Sequence, residues 1–83
     1  MQVLLRFTWD GTPKELGEVF RLCKAKGTRE LNASCRLWTH QLGWELRLGV
    51  ERDLVQSQVC RSQDDVLTTG EQWKAASVEK GWS

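Results

Sequence analysis

The chain of 83 residues carries 12 Lys and Arg against 11 Asp and Glu, and its apolar content of 40%, with seven Gly in addition, is that of a soluble globular domain and not of a disordered chain. At this length we expect one domain, residues 1–83, with a core so small that oligomerisation would be a natural source of further stability. A net charge of +1 provides no basic field of the kind that drives non-specific binding to nucleic acids, so such binding is disfavoured.

The first 27 residues predict a strand followed by a helix. Residues 2–9 alternate in polarity, with Val, Leu, Phe and Trp at every second position, which is typical of a half-buried strand. Thr12 can cap a helix and Pro13 suits its first position, while Gly27 can end it. The apolar stripe of this predicted helix has the spacing i, i+3, i+4, i+7 and consists of Leu16, Val19, Phe20 and Cys23.

The middle of the chain predicts three short strands. Residues 28–33 are polar and indicate a loop. The segments 34–40, 44–50 and 54–61 follow, separated by turn-like sequences, and the middle one alternates between apolar and polar residues. We therefore expect an antiparallel meander.

A second helix is predicted to begin after Ser62, a good N-cap residue followed by two acids in the first turn. Gly81 is expected to end this helix, with Trp82 folded back on its last turn in a Schellman-type contact. The predicted buried stripe consists of Val66, Leu67, Gly70, Trp73, Ser77 and Val78.

These elements predict an α+β domain with the order β-α-β-β-β-α, a two-layer sandwich in which two helices cover one face of a four-stranded, mostly antiparallel sheet. The other face of the sheet would be open. Without its first strand, the order is similar to that of the double-stranded-RNA-binding domain. That family carries a basic cluster at the start of its last helix, and the matching residues 62–65 are acidic here.

Two strand orientations remain open at this stage. A loop of two or four residues after residues 34–40 turns Cys35 and Leu37 inward and Arg36 and Trp38 outward, whereas a three-residue loop reverses them. We favour the first arrangement because it buries Leu37 and exposes Arg36. For residues 54–61, an even-length turn sends Val55, Ser57 and Val59 inward, which the pattern favours, and a three-residue turn sends Leu54, Gln56, Gln58 and Cys60 inward.

The sequence shows no constellation that would support catalysis. Cys23, Cys35 and Cys60 are not spaced as zinc ligands, and neither Cys35 nor Cys60 is expected to lie close enough to His40 for a nucleophilic pair. We expect no enzyme activity, no metal and no cofactor. The short apolar runs exclude a membrane-spanning segment, and the odd, scattered cysteines favour free thiols in the cytosol.

The open face of the sheet is the candidate binding surface. Trp and Arg are the residue types enriched in protein interfaces, so we expect binding to a second copy or to another protein. The alternative is a ligand- or single-stranded-RNA-binding module in which Trp38 stacks on a base and arginines meet phosphates. The candidate residues on this face are Arg6, Arg36, Trp38, His40, Glu45 and Arg47.

Overall fold

Within residues 11–83, four antiparallel strands, joined in chain order, form one sheet, and a single helix follows them. The computed structural model describes residues 11–83, so the strand predicted over residues 2–9 lies outside the described part, together with Arg6 and Trp9. The elements are β1 (Glu15–Lys26), β2 (Arg29–His40), β3 (Gly43–Val50), β4 (Asp53–Cys60) and α1 (Gln63–Glu79).

The predicted order β-α-β-β-β-α, with two helices on one face, is wrong, because the segment expected to form the first helix is β1. Two irregularities in the pairing of β1 with β2 each insert one residue, first Leu16 and then Val19. The inserted residues lie three apart and interrupt the alternation of the strand. The resulting spacing of apolar residues resembles the apolar period of a helix. The similarity to the double-stranded-RNA-binding domain, which required a helix here, is lost with it.

A tight hairpin joins β1 to β2. Gly27 has a φ of 64° and, with Thr28, forms a two-residue turn that pairs Lys26 with Arg29. A positive φ at the first turn residue matches the twist of a hairpin, so the glycine read as a helix stop serves a strand turn instead. The predicted loop at residues 28–33 is therefore wrong, because Thr28 completes this turn and residues 29–33 begin β2.

The register between β2 and β3 confirms the favoured orientation of residues 34–40. Gln41 and Leu42 form a two-residue turn, and His40 pairs with Gly43. Cys35 is fully buried beneath α1, and Leu37 packs against the same core. Arg36 and Trp38 therefore point to the opposite face of the sheet.

The favoured orientation of β4 is wrong. The turn at Glu51 and Arg52 has the even length that was expected, since Val50 pairs with Asp53. A bulge then inserts Val55, because Leu48 pairs with Gln56 while Gly49 pairs with Leu54. One extra residue turns every later side chain of the strand to the opposite face of the sheet. Cys60 is consequently buried beneath α1.

The core lies between α1 and one face of the sheet. Its members are side chains from all four strands and the helix that are nearly inaccessible to water, with three further residues packed at their margin. The buried members are Phe20, Leu22, Cys35, Leu46, Leu48, Cys60, Val66 and Trp73, and the marginal ones are Leu37, Trp44 and Trp82.

Both ends of α1 have the predicted caps. The Ser62 hydroxyl accepts a hydrogen bond from the Asp65 backbone N–H at 3.0 Å. At the other end, the N–H of Trp82 donates to the carbonyl of Ser77 and that of Gly81 donates to the carbonyl of Val78, which is the Schellman pattern. No helix within residues 11–83 is long and apolar enough to cross a membrane.

The buried stripe of α1 is narrower than predicted. Val66, Gly70 and Trp73 are buried as expected, and Thr69 joins them. Leu67 and Val78 of the predicted stripe are exposed, so the helix contacts the sheet along one narrow line.

Replacing the N-cap tests the contribution of the helix to stability. We expect Ser62→Ala to lower the free energy of unfolding by about 1 kcal/mol, because the N–H of Asp65 loses its acceptor. Thr68→Ala, on the exposed side of the same helix, is the control and should leave stability unchanged or slightly higher, since alanine favours helix. Urea denaturation measures both variants, and equal effects of the two would contradict the assigned cap.

Candidate functional site: the open sheet face and the β4 edge

The sheet face opposite α1, here called the open face, carries the predicted binding residues that the structure describes. Arg36, Trp38 and His40 alternate with the inward residues of β2, and Glu45 and Arg47 alternate with the inward residues of β3. Trp38 is directly opposite Glu45, and Arg36 is opposite Arg47. The structure thus brings these five side chains onto adjacent strands of one face.

An arginine covers the ring of Trp38. The Arg47 guanidinium lies 4.4 Å from the ring centroid, and its Nη2 is 2.9 Å from Oε1 of Glu45. A cation–π contact at a partly exposed position contributes roughly 0.5–1 kcal/mol. Arg47 thus contacts both the carboxylate of Glu45 and the ring of Trp38, which is half-buried.

The neighbouring arginine is also neutralised within the chain. Nη1 of Arg36 lies 2.6 Å from Oε2 of Glu15, and its Nη2 lies 3.7 Å from Oε2 of Glu18. The hydrogen bond to Glu15 raises the pKa of the Arg36 guanidinium further. Glu18 also pairs with Arg21 at 2.9 Å. Among the described residues, alternating charges of this kind largely cancel at a distance.

His40 lies at the end of the sheet, away from the centre of the open face. It is the last residue of β2, and its Nδ1 accepts a hydrogen bond from the backbone N–H of Leu42 at 3.0 Å. The imidazole therefore stabilises the β2–β3 turn.

The two buried thiols, Cys35 and Cys60, are not suited to nucleophilic chemistry. Burial raises the pKa of the Cys35 thiol to about 11, and burial likewise raises the pKa of the Cys60 thiol. A thiol with a raised pKa carries little of the reactive thiolate at neutral pH. Within residues 11–83, no group of three His, Cys, Asp or Glu side chains could hold a metal ion.

The edge strand β4 is the feature that the sequence reasoning missed. Of its eight residues, only Asp53 is charged, and seven are exposed. Leu54, Val55 and Val59 are 63%, 58% and 39% exposed. Val55 and Val59 were expected to be buried, and they are exposed because the bulge at Val55 reverses the strand.

The β1 edge of the sheet carries more charged residues than the β4 edge and is partly covered. Five of the twelve residues of β1 are charged. The backbone of Ser83 lies against this strand, with Ser83 donating to the carbonyl of Cys23 at 2.9 Å and accepting from its N–H at 2.7 Å. The β1 edge is therefore partly covered and charged, while the β4 edge is uncharged along residues 54–60.

Comparison of the chain with protein-family models, with curated proteins and with solved structures gave no significant match in any of the three. The interpretation of the site therefore depends on its own chemistry.

Substituting Trp38 distinguishes a surface position from a core position. We expect Trp38→Ala to remain folded with a loss of roughly 1 kcal/mol, mainly the contact with Arg47. Leu46→Ala, at the fully buried position on the adjacent strand, should cost about 2–5 kcal/mol because it leaves a cavity. Thermal unfolding of both variants measures the difference. A cost for Trp38→Ala equal to that of Leu46→Ala would contradict the placement of the ring.

Proposed function

We propose that the protein is a non-enzymatic interaction module that associates with a second copy of itself through β4 and the part of the open face beside it. The observation that carries this proposal is an exposed, uncharged edge strand bearing Leu54, Val55 and Val59. An edge strand presents a row of backbone N–H and C=O groups, and proteins commonly protect such a strand with charges or proline. Residues 54–60 contain neither.

The composition of the adjoining face supports the same proposal. Val59 is directly opposite Glu45 on β3, which in turn is opposite Trp38 on β2. An aromatic ring, an arginine in contact with it and exposed valines thus lie within three neighbouring strands. Trp and Arg are the residues most often found at the energetic centre of protein interfaces.

The charge arrangement disfavours the RNA-binding alternative. Arg36 and Arg47 are each paired with a carboxylate of the chain. Phosphate binding would have to replace those pairs, and it would bring the phosphate close to the same carboxylates.

The size of the hollow beside Trp38 disfavours the small-ligand alternative. This hollow has a volume of about 210 Å³, which is below the range of roughly 300–1,000 Å³ found for small-molecule sites.

Two exposed valines provide a matched test of self-association. We expect Val59→Lys to weaken the dimer at least about tenfold, because each interface then contains two lysines in place of two apolar contacts. Val78→Lys, at an exposed position on α1, should associate like the unsubstituted chain. Sedimentation equilibrium over a wide concentration range measures both.

A strictly monomeric unsubstituted protein at high concentration would overturn the proposed function. Equal weakening by the two lysine substitutions would show that charge in general, and not β4, controls association. Circular dichroism of both variants establishes that each is folded. Fluorescence titration with single-stranded RNA at low salt should leave the tryptophan emission unchanged, and salt-sensitive quenching would favour the alternative.

A further inference from the structure

The backbone hydrogen bonds of the sheet fix which groups of β4 point away from it. The Thr39 N–H donates to Lys14, on the β1 side of β2, and the carbonyl of Asn32 accepts from Glu51, on the β3 side. Because successive residues of a strand direct their backbone groups to opposite sides, residues 32, 34, 36, 38 and 40 of β2 bond to β3. Their partners on β3 therefore bond back to β2.

The same alternation continues into β4. The remaining residues of β3, 44, 46 and 48, direct their backbone groups to β4, where they pair with Cys60, Gln58 and Gln56. The backbone N–H and C=O groups of Ser57 and Val59 therefore point outward, away from the sheet. Among residues 11–83, no strand pairs with this side of β4.

The sequence of β4 reads the same in both directions around Ser57. Residues 55–59 are Val-Gln-Ser-Gln-Val. An antiparallel pair of identical strands related by a two-fold axis places residue 57+n opposite residue 57−n of the other copy. A palindrome therefore brings like residues together, apolar opposite apolar and amide opposite amide.

We propose that two copies pair their β4 strands antiparallel around a two-fold axis at Ser57, an inference that rests on the proposed self-association. In this register Ser57 is opposite Ser57 of the second copy and exchanges both of its outward hydrogen bonds with it. Val59 is opposite the bulge of the second copy, which holds Leu54 and Val55, and all three side chains are exposed in the single chain.

The residues on either side of Ser57 select this register from its neighbours. The axis at Ser57 places Gln56 opposite Gln58 of the second copy and Val59 opposite the bulge of the second copy, which holds Leu54 and Val55. The symmetry makes each of these pairs twice. Moving the axis to Gln58 places Val59 opposite Ser57, so both apolar pairs are lost. Apolar side chains directly opposite each other stabilise strand pairing, which favours the axis at Ser57.

The assembly closes at two copies. Pairing through β4 uses the outward groups of both copies and produces one eight-stranded sheet with both α1 helices on the same face. In the part of the chain that the structure describes, the remaining edges are two β1 strands, which are charged and carry the backbone of Ser83 at Cys23. Strands protected in this way resist further edge-to-edge addition, so the inference excludes a fibre.

Two proline substitutions test which backbone groups make the interface. Ser57→Pro removes an outward N–H, which a sheet tolerates on an edge strand, so the chain should fold and its dimer should weaken at least a hundredfold. Gln58→Pro removes an N–H that bonds to β3 and should instead destabilise the fold of the single chain. Circular dichroism and sedimentation equilibrium distinguish these outcomes. A folded Ser57→Pro variant that still forms the full dimer would overturn the inference while leaving self-association intact.

Cysteine cross-linking tests the register and does not depend on the proline variants. In a Cys23→Ser background, Ser57→Cys should form a disulfide-linked dimer, because residues opposite each other in a hydrogen-bonded pair have Cα atoms about 5.5 Å apart. Gln58→Cys should not, since the two copies of residue 58 would be roughly 8 Å apart, given strands about 5 Å apart and a stagger of two residues. Preferential linking through residue 58 would overturn the proposed axis, and a monomer without any linking would overturn the proposed function.

Discussion

Pairing of the backbone at the edges of the sheet is the constraint on which the remaining features depend. A four-stranded meander satisfies the inner strands completely and leaves one row of backbone groups on each outer strand. In this chain the two rows differ in the charge of their strands and in their contacts. The β1 row is charged and meets Ser83, whereas the β4 row is uncharged from residue 54 to residue 60.

The segment after α1 contributes to both the helix and the β1 edge. The Schellman turn at Gly81 reverses the chain and brings Ser83 against Cys23. Lys24 strengthens this connection, since its Nζ donates to the carbonyl of Lys80 at 2.8 Å and lies 5.9 Å from the Trp82 ring. The cap of the helix, the marginal core residue Trp82 and the protection of one sheet edge are therefore parts of one local structure.

The sequence was informative where local signals agree with the final contacts. The cap at Ser62 and the stop at Gly81 depend on neighbours within four residues, and both are present. The alternation over residues 44–50 is uninterrupted, and β3 has those residues and one more. The outward positions of Arg36 and Trp38 were predicted correctly, because a two-residue turn places the charged Arg36 outside and Leu37 inside. Glu45 and Arg47 of β3 lie on the same outward face.

The errors in β1 and β4 have one physical origin, the β-bulge. Leu16, Val19 and Val55 are each an extra residue opposite a regular partner strand. A bulge changes the facing of all later residues without a distinctive residue type, so periodicity alone could not reveal it. In β1 two bulges imitated a helix, and in β4 one bulge exposed the valines that form the candidate edge. The palindrome around Ser57 was visible in the sequence, but its meaning depends on knowing that this strand is an edge.

Hydrogen exchange at β4 tests the central claim most directly, because it observes the backbone groups themselves. The account predicts that the amide hydrogens of Ser57 and Val59 exchange more slowly as the protein concentration rises, because the dimer provides their hydrogen-bond acceptors. The Gln58 amide already bonds to β3 in the single chain, so its exchange rate should depend less on concentration. Exchange at Ser57 and Val59 that is independent of concentration, in a sample that nevertheless dimerises, would contradict it.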